Sequence, residues 1–389
     1  LLSLTEAKEQ INKIATEFKF EINPDDLIEN LPVGVQQRVE IIRALMYEAK
    51  VLILDEPTAV LTPQETDELL NMMKILKAKG TSIIFITHKL REVKAVADQI
   101  TIIRLGKVVG TATPSTTQEE LANLMVGRPV DLTPNRSVST AGANVLSVTD
   151  LNIHDFAGRA IIKNLNLDIK AGEILAIAGV QGNGQTELVR AIMNLGENIT
   201  GSVKLEGVEI LGKSVNQTLN SGIAYIPESR EVDGLIGSFT IAENLILDTH
   251  DTKPFASLGQ LSATDIASNA TALKKEFDIR AQSIFDTANS LSGGNKQKVV
   301  LARELSRTVK LVIAAQPTRG LDVGSIEFVH ERLLAERNAG RAVLLISTEL
   351  DEVTALADRI AVIYKGEILG VVDPSVAREK LGLMMAGIK

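Results

Sequence analysis

A fixed internal offset constrains this chain more than any other feature. Leu31, Gly34, Pro57, Gly80, Asp98 and Gly106 recur as Leu291, Gly294, Pro317, Gly340, Asp358 and Gly366, each 260 residues further on. Self-similarity at one constant spacing means that one structural unit has been built twice. The match runs without a gap to "LMVG" at Leu124–Gly127 and "MMAG" at Met384–Gly387, where the chain stops, so the C-terminus reads as natural. Residue 1 corresponds to Leu261, well inside the second copy, and Ser147 near the start of that copy has no counterpart. If the copies are equally long, roughly 110 residues of the first are missing, and the sequence reads as truncated at its N-terminus. Residues 129–144, "PVDLTPNRSVSTAGAN", are rich in Pro, Ser, Thr, Gly and Asn, the composition of a linker. The expected division is the later part of a first domain (1–128), a linker (129–144) and a complete second domain (145–389).

Within each copy, short β-rich runs such as "VLILDEP", "TSIIFITH" and "AVLLIS" alternate with helical periodicities at 63–79 and 325–338. That alternation reads as α/β. The runs are continuously apolar rather than alternating, which suits parallel strands covered by helices on both faces. None approaches the roughly 20 residues needed to cross a bilayer, so the chain reads as soluble. A net charge of -8 argues against a general binder of nucleic-acid backbone. Cysteine is absent, which excludes disulfides and thiolate metal sites and fits a reducing cytoplasm. His154, His250 and His330 share no ligand spacing, and the pair Met384 and Met385 reads as core packing.

Three motifs carry chemistry. The loop "GVQGNGQT", comprising Gly179, Val180, Gln181, Gly182, Asn183, Gly184, Gln185 and Thr186, lies between an apolar run and a helical one. It fits the phosphate-loop pattern G-x-x-x-x-G-K-[ST] except at Gln185, where lysine would stand. Glycines there let backbone N–H groups wrap a phosphate at a helix N-terminus, and Thr186 offers a hydroxyl to magnesium. The second motif is the strand end "VLILDEPTAVLT" and its copy "LVIAAQPTRGLD", in which Asp55 and Glu56 are matched by Ala315 and Gln316. The third is "LSGGNKQKVVLAREL" at 291–305, whose earlier copy begins "LPVG", with Pro32 and Val33 opposite Ser292 and Gly293.

With the signature segment, the strand end and the strand leading to "IFITHKL" in the same order in both copies, and the glycine loop ahead of them in the second, the chain resembles the ATP-binding cassette (ABC) proteins, and its tandem arrangement resembles the ATPase subunits of simple-sugar and nucleoside importers. The "GNGQ" of the glycine loop leans toward the nucleoside branch. The resemblance implies two P-loop NTPase cassettes in tandem, the first incomplete, with ATP and Mg2+ as cofactors. It implies transmembrane permease subunits as partners, an extracytoplasmic solute-binding protein acting indirectly, and a peripheral place on the cytoplasmic face of the membrane. It also implies roles. Asp55 would hold magnesium, Glu56 would polarise the attacking water, and His88 would contact the γ-phosphate. Their counterparts Ala315, Gln316 and Thr348 lack that chemistry.

In resembling proteins two cassettes pack head to tail, each ATP lying between one phosphate loop and the other cassette's signature. Leu291, Ser292, Gly293 and Gly294 would then serve the site of Asp55, Glu56 and His88, with Asp322 facing it. The loop Gly179–Thr186 with Ala315, Gln316 and Thr348 would meet the altered Pro32, Val33 and Gly34. One hydrolytic and one degenerate site are expected, and the chain as it stands would turn over little ATP alone. Phe156 is a candidate for stacking on adenine. Glu228 in "IAYIPESR" stands where a cassette usually has glutamine, and it is either a solvated acid or a departure with a role. Two other readings stay open: a soluble cassette protein of the ribosome or DNA-repair type, and an inactive regulatory remnant.

Overall fold

The computed structural model describes all residues except 1–2, 19, 21, 32, 47–48, 59–60, 62, 131–140 and 389, together with the side chains of 30, 33, 34, 63 and 64. It divides into two compact units, Leu1–Asp131 and Leu132–Lys389, the division falling inside the stretch read as linker.

The first unit runs α1 (Leu4–Phe18), α2 (Val33–Leu45), β1 (Val51–Asp55), α3 (Pro63–Ala78), β2 (Ser82–Ile86), α4 (Leu90–Val96), β3 (Ile100–Arg104), β4 (Lys107–Ala112) and α5 (Gln118–Val126). β1 and β2 pair in parallel, with Asp55 opposite Ile86, and β3 and β4 form an antiparallel pair. α5 starts on a reciprocal cap, in which the Thr117 hydroxyl accepts from the Glu120 N–H and the Glu120 carboxylate accepts from the Thr117 N–H. It ends on Gly127 in the left-handed region, the conformation glycine adopts without cost.

The second unit begins with β5 (Asn144–His154), β6 (Ala160–Lys170), β7 (Ile174–Ala178), α6 (Gln185–Ile192), β8 (Ile199–Leu205), β9 (Val208–Glu209), α7 (Val215–Asn220) and β10 (Ile223–Ile226). It continues with α8 (Ile241–Asn244), a small hairpin of β11 (Ala256–Ser257) and β12 (Gln260–Leu261), α9 (Ala263–Glu276) and α10 (Gly293–Leu305). β13 (Leu311–Ala315), α11 (Val323–Asn338), β14 (Ala342–Ser347), α12 (Leu350–Leu356), β15 (Arg359–Tyr364), β16 (Glu367–Val372) and α13 (Arg378–Met385) complete it. One sheet has the order β10-β13-β14-β7-β15-β16, parallel but for β16. A four-stranded antiparallel sheet, β6-β5-β8-β9, packs over it.

Every residue of β7, β13 and β14 is buried. Alternate side chains enter different cores. Val312 and Ala314 join Ile174, Ala176 and the helices on one face, while Leu311 and Ile313 join Leu175, Ile177 and the antiparallel sheet on the other. Burial on both faces is what a continuously apolar parallel strand predicts, and in this unit the expectation holds.

In the first unit it does not. β1 reads exposed, buried, exposed, buried, exposed, with Leu52 and Leu54 in the core and Val51 and Ile53 outside it. Among the described residues of that unit, only one face of the strand pair has a core to enter. Met384 and Met385 are buried, as core residues should be. Phe156 is almost wholly exposed in the turn between β5 and β6.

Candidate functional site

In both units the candidate chemistry sits where a parallel strand ends and the chain turns. Glu56 follows β1 with φ +46°, and Gln316 follows β13 with φ +48°. A left-handed conformation is uncommon for a residue with a Cβ and marks a functional or strained position. Each is held by the same bond: the Glu56 N–H donates to the Ile86 carbonyl at 2.9 Å, and the Gln316 N–H donates to the Ile346 carbonyl at 2.7 Å. The frame is therefore the same in both copies, down to backbone angle and partner.

The side chains on that frame differ. Glu56 Oε1 lies 2.9 Å from His88 Nδ1, and both groups are partly exposed. Its other oxygen, Oε2, is buried and has no hydrogen-bond partner. A carboxylate with one oxygen anchored on imidazole and the other unspent has an acceptor left for a water or a substrate hydroxyl. In the second unit Gln316 Oε1 accepts from both the N–H and the hydroxyl of Thr348, each at 3.3 Å. A neutral amide in that place cannot act as a base. Asp55, beside Glu56, presents an exposed carboxylate at the end of β1. No group of three or more His, Asp or Glu among the described residues could hold a metal ion. Magnesium needs no such group, because it takes one or two carboxylates and completes its shell from phosphate and water.

The structure adds a brace that the motif reading missed. The Thr58 hydroxyl donates to Glu92 Oε2 at 2.8 Å, and the Thr318 hydroxyl donates to Glu352 Oε1 at 2.8 Å, all four residues being buried. Each brace ties the turn after the strand end to the helix after the next strand, which begins just beyond His88 or Thr348. The repeat itself carried the signal, since these Thr and Glu pairs also stand 260 apart.

The glycine loop lies between β7 and α6, as its sequence context requires. Gly182 and Gly184 have φ +89° and +106°. A Cβ at Gly179 would come within 2.9 Å of the Ile363 carbonyl, so only glycine fits there. Gln185 is buried, and its amide donates to the Val180 carbonyl at 3.0 Å. Where lysine would project a charge, the amide closes the loop on itself. Asn183 is also buried, its oxygen accepting from the Lys365 N–H at 2.9 Å while its Nδ2 has no partner. A small pocket brings together Gln181, Gly182, Gln185, Thr186, Ala315 and Gln316, so the loop and the altered strand end share one site. The glycine wrap, the helix N-terminus and Thr186 fit a phosphate group.

Next to that pocket is a cleft of about 740 Å³. Thr186, Arg190, Tyr225, Glu228, Arg230 and Arg319 are among the residues lining it. Burial first, and the nearby Asp233 carboxylate second, push the Tyr225 phenol up to about 12. At the cleft floor Glu304 is buried against Arg303 Nε at 2.9 Å and Arg307 Nη2 at 2.6 Å. Burial raises its pKa against the pull of those two guanidinium groups.

In the signature segment, Ser292 caps α10 through its backbone, and its hydroxyl accepts from Asn295 Nδ2 at 3.0 Å. Gly294 abuts Ser325, where a Cβ would collide with the hydroxyl. Asp322 caps α11, accepting from the Ser325 N–H at 3.0 Å and from its hydroxyl at 2.7 Å. Gly294 and Asp322 are thus brought together at Ser325 within this unit. Of the corresponding positions in the first unit, Pro32 and the side chains of Val33 and Gly34 lie outside the described residues.

The chain matches the family model "ABC transporter" over residues 3–59 and 162–319. It is 46% identical over 388 residues to the nucleoside import ATP-binding protein NupA of Lactococcus lactis, covering 99% of this chain and 77% of that protein. It is 44% identical over 383 residues to the guanosine import ATP-binding protein NupO of Bacillus subtilis, covering 98% and 75%. Among solved structures, the ATP-binding subunit of an ABC transporter superposes with a TM-score of 0.53 at 21% identity, over 62% of this chain and 99% of that one. The fold is the P-loop NTPase fold of the ABC cassettes, and the chain belongs to the ABC transporter family of ATP-binding proteins.

Proposed function

We propose that this protein is the ATP-binding and ATP-hydrolysing subunit of an importer for nucleosides or simple sugars, with one hydrolytic and one degenerate nucleotide site. The observation that carries the proposal is a single backbone frame bearing Glu56 and His88 in one copy and Gln316 and Thr348 in the other. The names of the relatives NupA and NupO support the nucleoside branch. The partners are transmembrane permeases, with a solute-binding protein acting through them. The chain works at the cytoplasmic face of the membrane. No helix among the described residues is long and apolar enough to cross it.

In this reading the hydrolytic site uses Asp55 for a magnesium ion that ATP brings with it, Glu56 to orient water for in-line attack on the γ-phosphate, and His88 to contact the γ-phosphate while its Nδ1 holds the Glu56 carboxylate. Leu291, Ser292, Gly293 and Gly294 complete it from the second copy. The degenerate site comprises Gly179–Thr186 with Ala315, Gln316 and Thr348, and takes the altered Pro32, Val33 and Gly34 as its signature. Binding there serves closure rather than chemistry. Steady-state hydrolysis by the assembled transporter tests the assignment. Glu56→Gln should lower kcat by about 10²- to 10⁴-fold, the range for loss of a general base, and Gln316→Ala should change it by less than about threefold. Equal losses would refute the asymmetry.

A further inference from the structure

We infer that Glu228, Arg230 and Arg319 are positioning residues, a clamp that sets the signature segment and the Asp322 turn for hydrolysis at the other copy's nucleotide. The inference rests on the transporter reading above. Glu228 Oε1 accepts from Arg319 Nη1 at 2.6 Å. Arg230 Nη1 donates to the Arg319 carbonyl at 2.9 Å. The same Arg230 guanidinium packs against Gly293, where a Cβ would come within 2.8 Å of Nη2. Glu231 adds an ion pair with Lys296, one turn into α10, at 2.7 Å. Glu228, Arg230 and Glu231, three residues of one short segment after β10, thus grip both the start of α10, which carries the signature, and the turn that leads through Gly320 and Leu321 to Asp322.

The repeat supplies a control. The positions in the first copy that match Gly293, Lys296, Arg319 and Gly320 are Val33, Gln36, Ala59 and Val60. None of the four carries a charge, and valine at 33 brings the Cβ that Arg230 excludes at 293. Gln36 instead donates to the Leu31 carbonyl at 2.8 Å, within its own turn. The clamp's contact residues therefore differ as a set, and they accompany the intact signature rather than the altered one. Stability is a poor explanation for them. Glu228 and Arg319 are both partly exposed, and such a pair adds little to stability. The glutamate that replaces a glutamine in this loop has a partner and a place: it fixes Arg319, whose main chain carries Asp322 three residues on. Glu228, Arg230, Arg319 and Gly320 also line the cleft of about 740 Å³, so the clamp is open to solvent on that side and can be altered without entering the core.

The test uses Arg319→Ala and the conservative Arg319→Lys in the full protein assembled with its permeases. R319A should lower kcat for ATP by about ten- to hundredfold, as misplacement of a supporting group does, with KM for ATP and the thermal midpoint unchanged. R319K, which keeps the ion pair, should retain at least about half the activity. Wild-type kcat in R319A, or equal losses in the two variants, would overturn the clamp. An inactive wild-type assembly would instead count against the transporter reading. In that case amide exchange on the chain alone still decides the clamp: R319A should speed exchange at Gly293, Gly294 and Ser325, and unchanged exchange there would overturn it.

Discussion

The strands β1 and β13 are the same strand built twice, yet they live in different surroundings. Ile53 is 63% exposed while its counterpart Ile313 is fully buried at 0%, and Ile84 is 51% exposed while Leu344 is at 0%. Registers match residue for residue, Asp55 opposite Ile86 and Ala315 opposite Ile346. What differs is the covering layer. In the second unit β5, β6, β8 and α6 pack over that face, and among the described residues of the first unit nothing does. The chemistry is distributed the opposite way. The fully packed copy has Ala315 and Gln316, and the half-covered copy has Asp55 and Glu56.

Substitutions made in pairs can break or sharpen this contrast. The largest stability difference is expected at the repeated aspartate. Asp358 accepts from the Ile174 N–H at 2.9 Å and pairs with the buried Arg337 at 2.5 Å, whereas Asp98 pairs with the exposed Lys77 at 2.5 Å. Asp358→Ala should cost about 3–5 kcal/mol, since it leaves a buried guanidinium without its carboxylate, and Asp98→Ala less than about 1 kcal/mol. Denaturant melts of the two variants measure both. Next come the strand centres: Ile313→Ala should cost about 2–5 kcal/mol by cavity formation, against about 0.5 kcal/mol or less for Ile53→Ala at an exposed position. A comparable cost for Ile53→Ala would mean that its face is covered in solution. The smallest difference concerns the brace. Thr318→Val and Thr58→Val each remove one hydroxyl donor from a buried carboxylate and should cost about 1–3 kcal/mol alike. A clear inequality between them would show that the two copies do not share one frame.

The repeat made most of the architecture legible before any coordinates. Apolar runs marked β1, β2, β13 and β14, and the helical periods marked α3 and α11 to within a residue or two. The strand-end positions of Glu56 and Gln316 followed from the same pattern. What the pattern could not carry was the environment. A continuously apolar strand encodes the capacity for burial on both faces, not the layer that supplies it, and among the described residues of the first unit no layer covers Val51 and Ile53. Contacts between distant segments were likewise hidden. In the sequence Glu228 is either a solvated acid or a departure with a role, because Arg319 is far from it along the chain, and Gln185 is a missing charge rather than an amide that closes its loop on Val180.

The central claim is that two similar frames divide the work, one hydrolysing ATP and the other only holding it. Orthovanadate traps ADP at sites that have just hydrolysed ATP, so counting trapped ADP per chain in the assembled transporter tests that claim most directly. Division of labour predicts one ADP per chain in the wild type and in Gln316→Ala, and none in Glu56→Gln. Two trapped ADP per chain, or trapping that survives in Glu56→Gln, would contradict it.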